Sequence, residues 1–207
     1  MSISMYQASV PVFIRMLDNL AAILEKAAAH AEARKIDPAV LVSGRLYPDM
    51  FPLSKQVQIA TDAAKGGAAR LAQLEPPVFE DNEATFADLV ARTRKTADYL
   101  RTLAPTQIDG SEDRTVTWTT RAGPKSMQGM PYLLNHVLPN LYFHITAAYA
   151  ILRMLGAPVG KADFMRYLAA HVRRARADRQ GLPLFRRYAA APATPGGHRR
   201  RHQRADA

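Results

Sequence analysis

The sequence predicts an all-α fold: an antiparallel four-helix bundle with a small β-hairpin inserted before the last helix. Three observations predict it. Four stretches carry apolar residues at alternating steps of three and four, the spacing that keeps side chains on one helix face. Prolines punctuate the connections between them. One further segment, TVTWTT, alternates valine and tryptophan with threonine, a period of two that marks a strand.

The first helix is expected over Ser4–Ala33, with Phe13, Leu17, Leu20, Leu24 and Ala27 on its inward stripe and Pro11 bending its start. His30 lies about 100° off that stripe and reads as a surface or boundary residue. Residues 35–48 form a connection in which Val40, Leu41 and Leu46 tuck over one end of the bundle. The second helix is expected to begin near residue 50, with Asp49 in the N-cap region and Pro52 in the first turn. Leu53, Val57, Ala60, Ala64 and Leu71 face inward. Gly66-Gly67 weakens this helix by about 1 kcal/mol per glycine, which implies either a close helix approach or a break there.

Glu75-Pro76-Pro77 ends the second helix, and the third runs from about Asn82 to Leu103 before Pro105 stops it. Phe86, Val90, Thr93, Ala97, Leu100 and Ala104 form its stripe, leaving Glu83, Asp88, Arg92, Lys95 and Asp98 on the wet side. TVTWTT, the Ala122–Lys125 turn and SMQG then make a hairpin that caps the bundle, with Trp118 as a packing residue.

The last helix carries Leu134, Leu138, Leu141, Ile145, Ala148, Leu152 and Leu155 in 4,3 steps. Pro139 is expected to divide it into a short turn over Met130–Val137 and a long helix from Pro139 to Leu155. Gly156 and Pro158 mark its end. Phe143 and Met154 fall opposite the stripe and need cover, from the hairpin or a second copy of the chain. That pair motivates the expectation of a homodimer.

Composition narrows the function classes. The net charge of +10 is concentrated in residues 166–207, which hold eleven Arg, no Lys and two acids; residues 1–165 hold 17 basic and 16 acidic residues. The chain therefore divides into a nearly neutral domain, 1–165, and an Arg/Ala/Pro-rich tail, 166–207. The tail reads as a basic arm for nucleic acid, a disordered segment without a selected role, or a shifted reading frame of a GC-rich gene. Nucleic acid is not expected as a partner except through that tail. With no cysteine there is no disulfide framework, thiolate zinc site or thiol nucleophile. No apolar run approaches the roughly 18 residues needed to span a membrane, and the N-terminus lacks a signal-peptide pattern, so a cytoplasmic protein is expected.

The candidate site draws on two helices. His144 sits at the edge of the inward arc of the last helix. Gln56 sits about 60° from Leu53 at the edge of the second helix stripe, and Asp49, seven residues earlier, falls on the same side. Asp49, Gln56 and His144 are therefore the candidate ligand-binding residues, lining a small polar pocket or, alternatively, forming a buried polar network that fixes helix register. One histidine with an aspartate and an amide is a poor donor set for tetrahedral zinc; no metal or other cofactor is expected, and His144 is the ligand to be looked for if a divalent ion binds. His136 is separated from His144 by about 12 Å of helical rise and is not its partner.

LPNLYFHITAAYAILRMLGAPVGKADF at the last helix and YPDMFPLSKQVQIATDAAK at the second resemble an uncharacterised bacterial family of the DinB-like superfamily, the one described as domain of unknown function nineteen ninety-three. The resemblance covers about residues 1–165 and implies an antiparallel four-helix bundle, often dimeric. Some DinB-like relatives hold a metal with three histidines, one on the second helix and two in an H-x-x-x-H on the last, and some are thiol-dependent transferases or hydrolases. Here Gln56 stands where the first histidine is expected, and Ala148 follows His144 in place of the third. Two functions are left open: a bundle binding a small molecule between helices two and four, and a non-catalytic helical module for dimerisation or partner binding.

Overall fold

A computed structural model describes residues 2–120 and 122–166. The expectations for the tail, disorder and nucleic-acid binding alike, concern residues 166–207, of which all but Arg166 lie outside the described residues. The described chain is mostly helical, with one two-stranded antiparallel sheet.

The N-terminal helix is two pieces. α1 (Met5–Ala8) is capped by Ser4, and α2 (Val10–Ala33) restarts after Ser9 with Pro11 in its first turn, where a missing N–H costs nothing. The connection folds into α3 (Pro38–Val42), N-capped by Asp37. Leu41 is buried there, whereas Val40 turns outward. α4 (Leu53–Leu71) starts three residues later than the sequence suggests, because Pro52 takes the N-cap position. All five expected inward residues of α4 are fully buried.

α5 (Phe86–Arg101) opens with a reciprocal cap: Asp88 N–H donates to Thr85 Oγ1 at 3.2 Å and Thr85 N–H to Asp88 Oδ2 at 2.9 Å. Pro105 begins a further short helix, α6 (Pro105–Ile108), after the chain has already left α5. β1 (Thr115–Thr120) and β2 (Gly123–Gln128) pair from Thr115 opposite Gln128 to Thr120 opposite Gly123. The returning strand thus begins three residues earlier than AGPK as a turn would allow.

The last helical stretch differs most from expectation. α7 (Gly129–Tyr132) passes through a single π-helical turn (Leu133–Val137) into α8 (Leu138–Met154) without a break. Leu138 N–H reaches back five residues to the Leu133 carbonyl. The wider turn makes room for the Pro139 ring, so the proline bends the bonding pattern instead of ending the helix. The extra residue also rotates everything before it. Leu133 and Val137 face the core, and Leu134, placed on the stripe by 3.6-residue counting, is 49% exposed. α8 ends as expected: Gly156 takes φ 90°, and Ala157 N–H bonds the Leu152 carbonyl at 2.9 Å. α9 (Lys161–Phe164) is tied to α2 by Asn19 donating to the Phe164 carbonyl and by a Lys26–Asp163 ion pair.

The four long helices close a ring of contacts: α2 on α5, α5 on α4, α4 on α8, and α8 on α2. One hydrophobic cluster fills its interior, with Phe13, Leu17, Leu20, Leu24, Leu100 and Ile145 all fully buried. Gly67 of α4 lies under the π turn; a Cβ there would meet Val137 Cγ1 at 2.4 Å. The double glycine therefore marks a close approach, and α4 runs unbroken through it. Among the described residues, no helix is long and apolar enough to cross a membrane.

Arg92, expected in water, is 4% exposed. It clamps the α4–α5 connection onto the body. Its guanidinium donates to Thr61 Oγ1, the Glu80 carbonyl, Glu83 and Asp62 at 2.8–2.9 Å and pairs with Asp81 at 3.1 Å. Burial alone would raise the Asp81 carboxyl, but the hydrogen bond and charge of Lys55, with Arg92 behind them, hold it below the ordinary range. Phe79 lies within 6 Å of three cations, Lys65, Arg92 and Lys95.

Candidate functional site

The α4–α8 seam brings Gln56 and His144 together. Gln56 stands in the first turn of α4 and His144 in the second turn of α8, with 1% and 9% of their surface exposed. Gln56 Nε2 donates to the Phe51 carbonyl at 3.1 Å, which turns Oε1 toward the imidazole. His144 Nδ1 and Gln56 Oε1 are 2.7 Å apart, so Nδ1 carries the proton and donates, leaving Nε2 with its lone pair. Burial pushes the His144 pKa below its ordinary value, which keeps the ring neutral. Among the described residues, nothing hydrogen-bonds to Nε2.

Asp49 is not part of this arrangement. It is exposed in the turn before α4, and because that helix starts at Leu53, helical spacing does not carry Asp49 to the Gln56 side.

Beside the pair, on the outer face of α8, lies an apolar groove of about 340 Å³. Leu46 and Met50 line it from the connection before α4, and Tyr142, Phe143, Thr146, Ala147 and Ala150 from α8. His144 is behind its wall: the Phe143 ring meets the imidazole edge-on at 5.2 Å. Phe143 and Met154 are 57% and 52% exposed, with Tyr47 and Phe51 also open to solvent.

The second histidine of the last helix, His136, has a different setting. It lies in the π turn, tilted against Trp118 at 4.6 Å and stacked on Tyr132 at 5.5 Å. Trp118 is a packing residue as expected, yet its Nε1–H is buried with no acceptor among the described residues. Both His136 and Arg92 escaped the sequence reading. The signal for Arg92 was the acidic run Glu80-Asp81-Asn82-Glu83, which needed a cation; for His136 there was none, since its neighbours come from a hairpin distant in sequence.

The described residues form a ring of four long helices carrying a small hairpin, with His144 of α8 facing Gln56 of α4, and this arrangement has a solved counterpart among DinB family proteins. A crystal structure of a DinB family member protein from Shewanella denitrificans is 42% identical, with a TM-score of 0.70, covering 77% of this chain and 90% of that one. The family model "Domain of unknown function (DUF1993)" matches residues 5–165, and the chain belongs to that family. No curated protein matches it.

The three-histidine metal site of some DinB-like proteins does not fit these residues. The Gln56 amide oxygen is taken by His144, Ala148 has no donor atom, and no group of three or more His, Asp or Glu among the described residues is placed to hold a metal ion.

Proposed function

We propose that residues 1–165 form an antiparallel DinB-like four-helix bundle that binds a small, largely apolar molecule on the outer face of α8. The observation that carries this reading is the groove beside the Gln56–His144 pair. Its volume and almost wholly apolar walls suit a small apolar ligand. His144 acts as a positioning residue: its hydrogen bond to Gln56 locks the ring against which Phe143 packs. No divalent metal takes part in this reading.

The test is titration of the full chain with Nile red as an apolar probe. Saturable fluorescence at one probe per chain is expected, lost in Ala150→Phe, which fills the groove from a half-buried position. Unchanged binding in a folded Ala150→Phe would remove the groove as the site.

Self-association is the second reading, favoured by the exposure of Phe143, Met154, Tyr47 and Phe51 beyond the groove itself. Light scattering separates the two. A homodimer that hides this face makes probe affinity fall as protein concentration rises, whereas a monomer with a free groove shows no such dependence.

A further inference from the structure

At the foot of the hairpin, donors outnumber acceptors. Arg70, half-buried near the end of α4, gives one hydrogen bond, from Nη1 to Tyr132 Oη at 3.3 Å. No carboxylate among the described residues pairs with Arg70 or with Lys125. Lys125 stands directly opposite Trp118 in the hairpin, so the two side chains share the face turned toward the body. Trp118 Nε1–H, on that same face, has no acceptor.

His136 completes the set. Asn140 Nδ2 points at its Nδ1 from 3.4 Å and donates to its carbonyl at 2.7 Å, which places the ring proton on Nε2. The groups around this imidazole are Arg70 from α4, Lys125 from β2, Trp118 from β1, Tyr132 from α7 and Asn140 from α8. Burial first, then the charges of Arg70 and Lys125, push the His136 pKa down. A polar groove of about 550 Å³ opens on the Arg70 side of this corner, lined by Arg70, Gln73, Glu75 and β1 from Thr115 to Thr119; Lys125 and His136 stand outside that lining. Glu75 is exposed on that lining and makes no ion pair with Arg70. Two cations without a carboxylate partner are an arrangement that an anion relieves.

We propose that this corner is a binding site for a small oxyanion, a carboxylate or a sulfate-like group, held by Arg70, Lys125 and the Nε2–H of His136. The site is separate from the groove on the outer face of α8 and does not depend on it. A bound anion supplies the ion-pair partner that Arg70 and Lys125 lack among the described residues. It favours the protonated ring, so binding and protonation of His136 strengthen each other.

The chain has a single tryptophan, which gives the test a local reporter. The indole N–H resonance of the full chain is followed during titration with sodium sulfate, and separately with sodium acetate, at ionic strength held constant with sodium chloride. The reporter distinguishes the corner from the arginine-rich tail, which also attracts anions but does not carry the tryptophan. A saturable shift is expected with one or both anions, and the tighter of the two names the oxyanion class. Arg70→Gln weakens it by about tenfold or more, the ratio expected for one charge-assisted hydrogen bond. Lys125→Gln, at an exposed position, weakens it as well and serves if Arg70→Gln does not fold. His144→Ala leaves it unchanged. The His136 ring titration moves up by about half a unit or more under saturating anion. A linear shift equal to that of chloride, or full binding in a folded Lys125→Gln, overturns the proposal.

Discussion

Arg92 and Arg70 sit on neighbouring helices in opposite electrostatic situations. Arg92 has three carboxylates, a hydroxyl and a carbonyl, and its donors are taken up. Arg70 has one phenol oxygen. A saturated buried cation belongs to the architecture, since it fastens the acidic connection over α4 and α5. An unsaturated one is a place where something else fits. Residue type does not separate the two, and the deeper burial of Arg92 follows from its partners; the tally of partners is what differs in kind.

The most damaging change to this contrast is loss of the saturated member. Arg92→Met leaves Glu83, Asp62 and Asp81 without their shared partner, and breaking such a buried pair costs about 3–5 kcal/mol, lowered here because Asp62 and Asp81 reach solvent. Urea denaturation measures it; a loss under about 1 kcal/mol would show the clamp to be ornamental. Because the Asp81 pKa is depressed, its contribution is complete above the unfolded value near 3.8 and disappears as pH falls through the lower folded value. Hydrogen exchange in residues 74–85 is expected to rise in that acid range.

Next in size is Gly67→Ala, whose Cβ meets Val137; overpacking of this kind costs about 1–3 kcal/mol. Val137→Ala in the same chain is expected to recover part of it, and thermal melts of the double variant give the comparison. Gln56→Leu comes third. It leaves the His144 Nδ1–H unpaired in a dry seam, at about 1–2 kcal/mol. The pH dependence of the native protein has a fixed sign here. His144 has a lowered pKa, so the unfolded chain takes up the proton first. The stability it confers is full above about 6.5 and diminishes as pH falls through the folded value. A melting temperature that rises on going from pH 7 to pH 5 would contradict this. The smallest effect belongs to Asp49→Ala, an exposed turn residue, expected to stay within about 0.5 kcal/mol and to leave Nile red binding unchanged.

The helices were legible because burial dictates periodicity. Phe13 to Ala27, Leu53 to Leu71 and Leu141 to Leu152 all point where their spacing says. Two of the three candidate residues came together for the same reason: edge positions on two facing stripes brought His144 to Gln56. Asp49 was not, because its placement assumed a helix start that Pro52 shifts by three residues. Leu134 was misplaced because counting at 3.6 residues per turn cannot see a five-residue hydrogen bond. Arg92 looked wet because its neighbours on the helix are wet; the carboxylates that bury it come from a connection with no periodicity to read.

The π turn has a consequence for how the chain tolerates change in length. Residues 133–137 hold one more amino acid than an α-helical path of the same rise would need. Deleting Leu134, an exposed residue whose side chain the core does not use, would rewind the segment into an uninterrupted helix. Everything before it would turn by about 100°, and Pro139 would again confront a carbonyl one turn back. Tyr132 and the hairpin attached to it would swing away from His136. The position of the hairpin is thus set by a residue count, so Leu134 should accept substitution readily while the segment rejects a gap of one.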